Sequence, residues 1–332
     1  MQKNTLIALS LAALMTACAP LGVQAELRPE YREFVDEMAT KHGLDREFVT
    51  ALLAGAEMRQ DIIDAMTRPA EALPWHRYRR IFMTDARVSG GVRFWNEYEE
   101  VIARAAREYG VAPEIIVAII GVESNYGSVQ GRYRVVDALV TLGFHYPPRA
   151  AFFRSELEHF LLLAREEQLD AAGATGSYAG AMGSPQFISS SYRAYAVDFD
   201  GSGSRDLWNS WPDIIGSIAN YFHQHRWARD EPIAARATLR EPGAREHATR
   251  SLDLKSTVGA LRAAGVLPAR QLPDDARANL LMLETSEEAD EHWVTLHNFF
   301  VITRYNRSPL YAMAVHQLAQ AIREAHDTVG SE

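Results

Sequence analysis

The sequence predicts a mainly α fold with a minor β part (α+β), and three observations carry that reading. Apolar residues recur at three- and four-residue spacing over Glu30 to Met38, Arg46 to Met58, Asn96 to Tyr109 and Glu156 to Glu167, the mark of helices with one buried face. Alternating strand patterns are scarce. The 332 residues exceed the roughly 250–300 at which one core usually stops growing, so a main helical domain with smaller additions is expected. Hydrophobic residues make up 47% and charged residues 23%, which excludes global disorder and a multispan membrane protein. A net charge of −9 argues against general nucleic-acid binding, which needs Lys and Arg to neutralise phosphates.

Residues 1–25 read as an export signal. Lys3 precedes an apolar run, Leu6 to Ala17, that is shorter than the roughly 20 residues of a membrane-spanning helix. Leu14-Met15-Thr16-Ala17 places small residues ahead of Cys18, the sole cysteine, as in bacterial lipoprotein signals; ordinary cleavage after Val23-Gln24-Ala25 is the alternative. A single cysteine rules out an intramolecular disulfide. Residues 26–110 are expected to form an N-terminal helical region and 111–229 the core. Near residue 230 the texture changes to a charged stretch broken by Pro232, Pro242 and Gly243, followed by small helices and short apolar runs, so 230–290 is expected as a small inserted module. A helical, aromatic-rich pattern with Trp293, Phe299, Phe300, Tyr305 and Tyr311 marks 291–332 as the return to the core.

The chemistry starts at Glu123. Pro113 suits the first turn of a helix, and Ile115 to Ile120 are apolar all round, so this helix is expected to be buried, with Glu123 at its C-terminal end. Apolar surroundings and the negative end of the helix dipole both disfavour a carboxylate there, which suits a general acid. On this segment alone, a glutamate that merely bonds the following loop is an equal reading. The histidines show no His-Glu-x-x-His pattern, so no zinc site is assigned. Ser189, Ser190 and Ser191 read as helix surface.

Further motifs break the tie. Gly121-Val122-Glu123-Ser124-Asn125-Tyr126-Gly127 resembles the glutamate motif of the lysozyme-like lytic transglycosylases, bacterial enzymes that cleave the glycan strands of peptidoglycan. The stretch from Gly176 through Gly183-Ser184-Pro185-Gln186-Phe187 resembles their second motif, Tyr195 to Asp200 and Ala219-Asn220-Tyr221-Phe222 extend it, and Thr303-Arg304-Tyr305-Asn306 resembles a third. In this order, from about residue 30 to 325, the chain is similar to the lytic murein transglycosylase B family. The resemblance implies a lysozyme-like helical core and Glu123 as catalytic acid, then base. It also implies Ser177, Gln186, Tyr126, Phe187, Tyr221 and Tyr305 as cleft residues, and Arg149 as a contact for stem-peptide carboxylates. Pro148 and Pro185 stand where the family pattern has Arg and Gly; Ser184 as N-cap with Pro185 at the first helical position offers a local account of the second.

The reaction so implied forms 1,6-anhydroMurNAc ends without water and requires no cofactor. A noncatalytic peptidoglycan-binding scaffold and a water-using muramidase are the alternatives. Asp137 and Asp198 are the nearest acids in sequence that could serve a conventional hydrolase, and neither has a marked apolar setting. The implied location is the periplasm, with Cys18 anchored to the outer membrane and cell-wall synthesis or divisome proteins as potential partners.

One further pattern is read from spacing. Asp198, Asp200, Ser202, a backbone carbonyl at Ser204 and Asp206 follow the first positions of an EF-hand loop, with Gly203 at position six. Position twelve is Asn209 in place of glutamate, so Asp213 is expected to supply the missing carboxylate to a structural Ca2+ or Na+ ion. An ion-free loop held by Asx-type hydrogen bonds is the alternative.

Overall fold

The computed structural model describes residues 27–68, 73–286 and 290–329, and these are mostly helical. Cys18 and the expected export signal of residues 1–25 lie outside the described residues. Among the described residues no helix is long and apolar enough to cross a membrane. Among the described residues, those up to Ala54 form one compact unit and those from Gly55 a second.

The first unit is a helical pair, α1 (Pro29–His42) and α2 (Arg46–Ala54). Gly43 in the left-handed region ends α1, and its N–H bonds the Ala39 carbonyl. The second helix stops at Ala54, short of the Met58 that periodicity suggested, because Gly55 opens a turn.

In the second unit α3 (Gln60–Met66), α4 (Trp75–Phe82), α5 (Asp85–Glu97) and α6 (Glu99–Tyr109) lead to the buried helix α7 (Pro113–Ser124). The single helix expected over 96–109 is divided at Tyr98, whose φ of −115° and ψ of 25° leave the helical region. Residues Ile115 to Gly121 of α7 are all buried. Pro113 occupies its first turn, and Glu114 beside it completes an ion pair with Arg323 at 2.7 Å. The favourable placement of an acid at a helix N-terminus adds to that pair. The helix α14 (Pro309–Val329) packs along α7, so the C-terminal segment forms part of the core.

A second group surrounds this pair: α8 (Val135–His145) against α9 (Ala150–Glu166), then α10 (Ser189–Tyr195) and α11 (Trp211–Gln224). A two-residue ladder joins β1 (Tyr133–Arg134) to β2 (Thr175–Gly176). Ser189 corrects a sequence expectation: it is fully buried, not helix surface.

Residues 234–295 carry strand structure that sequence periodicity had not revealed. The five-stranded antiparallel sheet β4-β6-β7-β3-β5 consists of β3 (Ala234–Leu239), β4 (Ser256–Thr257), β5 (Val266–Pro268), β6 (Arg277–Glu284) and β7 (Asp290–Thr295). Both faces of β6 are covered, which erased the alternation a half-buried strand shows. The short helix α12 (Val258–Ala263) packs Val258 and Leu261 with Leu280, Val266 and Val294 into a local core. The chain then enters α13 (His297–Tyr305) and α14.

Candidate active site

Glu123 is the penultimate residue of α7 and is half-buried. The helix ends beyond it on Asn125, in the left-handed region at φ 48°, a conformation asparagine tolerates. Tyr126 follows at φ 57°, a strained position for a bulky side chain. Three contacts hold it: its N–H reaches the Ile120 carbonyl at 3.3 Å, its hydroxyl donates to the Arg87 carbonyl at 2.8 Å, and its ring lies on Gly90, Gly91 and Gly121. A Cβ at Gly121 would sit 2.6 Å from the Tyr126 hydroxyl oxygen, so the motif needs glycine there. Tyr126 therefore braces the glutamate loop, and its hydroxyl is spent on backbone. Arg87 also donates to the Gly121 carbonyl, satisfying an acceptor near the helix end.

The second motif is brought against this loop by backbone proximity. At Gly131, with φ 94°, a Cβ would lie 2.0 Å from the Gly176 carbonyl. Ser177 accepts backbone N–H groups from Ala179 at 3.3 Å and Ala181 at 3.1 Å, which leaves its own proton free to donate. Residues 183–186 form a tight turn closed by the Met182–Phe187 bridge, with Gln186 at φ 52°. This corrects the helix start assigned to Ser184 and Pro185. Pro185 sits inside the turn, and Ser184 accepts the Gln130 amide at 2.7 Å. Gln186 donates its amide to the carbonyls of Gly183 and Gln130, at 2.9 and 3.2 Å.

An aromatic wall completes the arrangement. Phe187 lies 5.6 Å from the Tyr221 ring and 5.7 Å from the Tyr305 ring, and Tyr221 and Tyr305 are 4.8 Å apart. The Tyr221 hydroxyl bonds the Arg304 carbonyl at 2.6 Å and the Tyr305 hydroxyl bonds the Pro185 carbonyl at 2.7 Å. Tyr305 in turn stacks on Tyr311, whose hydroxyl donates to Glu123 Oε1 at 2.5 Å. Burial, with the Glu123 charge adding to it, pushes the Tyr311 and Tyr305 hydroxyls far above the usual phenol range, so both remain donors. Arg149 is exposed after a 3-10 turn, with its guanidinium over the rings of Phe152 and Phe153 at 4.4 and 5.0 Å.

The acidic loop converges in part as expected. Asp198, Asp200 and Asp213 bring carboxylate oxygens within 4.8 Å of one another, an all-oxygen donor set suited to a hard cation. Asp213 is buried and accepts N–H groups from Phe199, Asp200 and Asp206; burial pushes its carboxyl up against the pull of those bonds. Hydrogen bonds from Ser202 and Ser210 hold Asp200 below the usual carboxylate range. Asp206 is outside the converging set: its carboxylate accepts from the Trp208 and Asn209 backbones and the Asn209 amide. The hydroxyls of Ser202 and Ser204 face each other at 3.5 Å.

Comparison with known proteins places the chain in a family. Residues 26–320 match the family model described as a transglycosylase SLT domain. The chain belongs to the transglycosylase SLT domain family. It is 44% identical over 304 residues to membrane-bound lytic murein transglycosylase B of Escherichia coli strain K12, covering 89% of this chain and 82% of that protein. Among solved structures, lytic transglycosylase SltB1 of Pseudomonas aeruginosa, reported as catenated, is 51% identical with a TM-score of 0.86, over 90% of this chain and 98% of that one. The E. coli lytic transglycosylase Slt35, solved with calcium, is 45% identical with a TM-score of 0.82, over 90% and 94%. SltB3 of P. aeruginosa, solved with NAG-anhNAM-pentapeptide, is 30% identical with a TM-score of 0.78, over 89% and 79%.

This member of the SLT-domain family is thus a lytic transglycosylase with a lysozyme-like helical core. Sequence reasoning missed Tyr311 as a site residue, treating it as one aromatic among several. Its spacing from Tyr305 carries no helical signal, because α13 and α14 meet between them. Asp137 also differs from expectation. It is buried, pairs with Arg134 through both oxygens at 2.9 and 2.6 Å, and accepts the Glu57 N–H at 2.9 Å.

Proposed function

We propose that this transglycosylase cleaves the MurNAc-β-1,4-GlcNAc bond of peptidoglycan without water, using Glu123 first as acid and then as base. Glu123 gives its proton to the bridging oxygen as the bond to C1 breaks, and the substrate's own acetamido oxygen stabilises the cationic carbon. The carboxylate then takes the proton of the C6 hydroxyl as O6 attacks C1, which closes the 1,6-anhydro ring and restores the acid. The proton balance closes on one residue, whereas hydrolysing glycosidases use a carboxylate pair.

The observation that carries this reading is the Tyr311 hydroxyl on Glu123 Oε1. A phenol held protonated beside the carboxylate steadies it through the base half of the cycle and orients it throughout. The two acids considered from the sequence as a second carboxylate are engaged in other places: Asp137 with Arg134, and Asp198 in the acidic loop with the N–H groups of Ser202 and Gly203. Ser177 and Gln186 are assigned to the acetamido group, Tyr305 to a sugar ring with the buried Phe187 and Tyr221 rings backing it, and Arg149 to stem-peptide carboxylates. A calcium ion on Asp198, Asp200 and Asp213 has a structural role, in keeping with the calcium complex of Slt35. Cys18 is assigned as the lipid anchor that keeps the enzyme periplasmic at the outer membrane.

Digestion of purified peptidoglycan followed by mass spectrometry tests the reaction. Products ending in 1,6-anhydroMurNAc are expected, and Glu123→Gln is expected to lower turnover at least about a hundredfold while glycan binding survives. Reducing-end products identify a muramidase. No products from the native chain identify a scaffold.

A further inference from the structure

We infer that a second saccharide-binding pocket lies between the end of α5, the loop that follows α7 and the start of α11. A cavity of about 350 Å³ there is lined by Arg93, Glu97, Tyr98, Asn125, Ser128 and Trp211, among others. It shares Tyr126, the brace of the glutamate loop, with the site described above, but contains none of Glu123, Ser177, Gln186, Phe187, Tyr221, Tyr305 or Tyr311. The inference rests on the glycan-cleaving reading above and extends it to a second place on the same strand.

The chemistry of the lining selects the ligand class. Trp211 and Tyr98 pack at 5.5 Å and Phe94 backs both rings, at 4.8 Å from each, so aromatic surface forms one wall. Trp211 is half-buried and rests on Gly127, where a Cβ would come within 2.9 Å of its ring. The rim is polar: Arg93, Glu97, Asn125 and Ser128 are all exposed. Arg93 and Glu97 lie four residues apart on α5, and the Glu97 carboxylate bonds the Tyr98 hydroxyl. A guanidinium and a carboxylate at one opening disfavour a simple anion and a simple cation alike. They suit a neutral ligand whose hydroxyls both donate and accept, and the aromatic wall suits the apolar face of a sugar ring. The volume is at the small end of the roughly 300–1,000 Å³ of ligand pockets, fitting a short stretch of glycan. Because Asn125 and Ser128 lie two and five residues after Glu123 in the chain, a strand held here remains close to the glutamate loop.

Titration of 15N-labelled Glu123→Gln chain with chitotetraose, a soluble N-acetylglucosamine oligomer, tests the pocket. The Trp211 indole and Asn125 amide resonances are expected to shift saturably, as are resonances around Glu123. In Ser128→Trp, which wedges the rim, the first set is expected to stop moving while the second still responds. The double variant Arg93→Ala with Glu97→Ala is expected to weaken the first set at least fivefold, and it serves if the wedge misfolds. Unmoved Trp211 and Asn125 signals at concentrations that saturate the Glu123 region overturn this pocket alone. A chain in which neither region responds overturns the glycan reading together with it.

Discussion

The hydroxyl of Tyr311 donates to Oε1 of Glu123 at 2.5 Å, joining residues 188 apart in sequence. Glu123 lies in the last turn of α7 and Tyr311 in the first turn of α14, and these two helices pack side by side in the core. The acid is therefore oriented by the same contact that closes the C-terminal segment onto the rest of the unit.

Replacing Tyr311 with phenylalanine keeps the ring and its stacking on Tyr305 but removes the donor. Hydrogen bonds to charged groups contribute about 1.5–3 kcal/mol, so kcat on peptidoglycan is expected to fall roughly tenfold to a hundredfold. KM should change little. Release of anhydro products together with a urea unfolding curve separates this from a loss of stability, and an unchanged kcat would show that the bond has no catalytic role.

Calcium should stabilise the chain through Asp198, Asp200 and Asp213. At a hundredfold excess over its dissociation constant an ion that binds only the folded state adds about 2.7 kcal/mol, so Tm should rise over a chelator control. The rise should vanish in Asp200→Asn. An equal Tm with and without millimolar calcium removes the metal from the account.

His316 gives a pH dependence. It is almost fully buried, neither ring nitrogen has a hydrogen-bond partner, and burial lowers its pKa from 6.5 to about 4. The folded form thus binds its proton less readily than the unfolded form. Its contribution to stability is fully present above pH 6.5 and is lost as pH falls from there towards 4, on the order of 3 kcal/mol in all. Urea midpoints at pH 7 and pH 5 should differ less in His316→Phe than in the native chain.

Gly131→Ala tests the seam between the two motifs. The new methyl meets the Gly176 carbonyl at 2.0 Å on a backbone at φ 94°, so neither space nor conformation accommodates it. A loss of several kcal/mol is expected, with activity falling in parallel. Differential scanning calorimetry reads it directly, and a Tm within a degree or two of the native value would contradict the close approach.

The sequence by itself determined the helical class, the buried character of α7, the position of Glu123 at its end and the order of the motifs, because these are local: a run of apolar residues, a proline at its start and a spacing of acids are legible without knowing what lies opposite. It did not reveal the five-stranded sheet, since β6 is covered on both faces and so lacks a period of two. Nor could it tell Tyr126 from Tyr311. Both are tyrosines near a motif, and only the packing of α5 and α7 turned the first onto the Arg87 carbonyl, while the meeting of α7 with α14 aimed the second at Glu123. Ser184 and Pro185 read locally as a helix start, but the Met182–Phe187 bridge closed them into a turn. A side chain's role follows from its partner, and partners distant in sequence are chosen by how helices and loops close against one another.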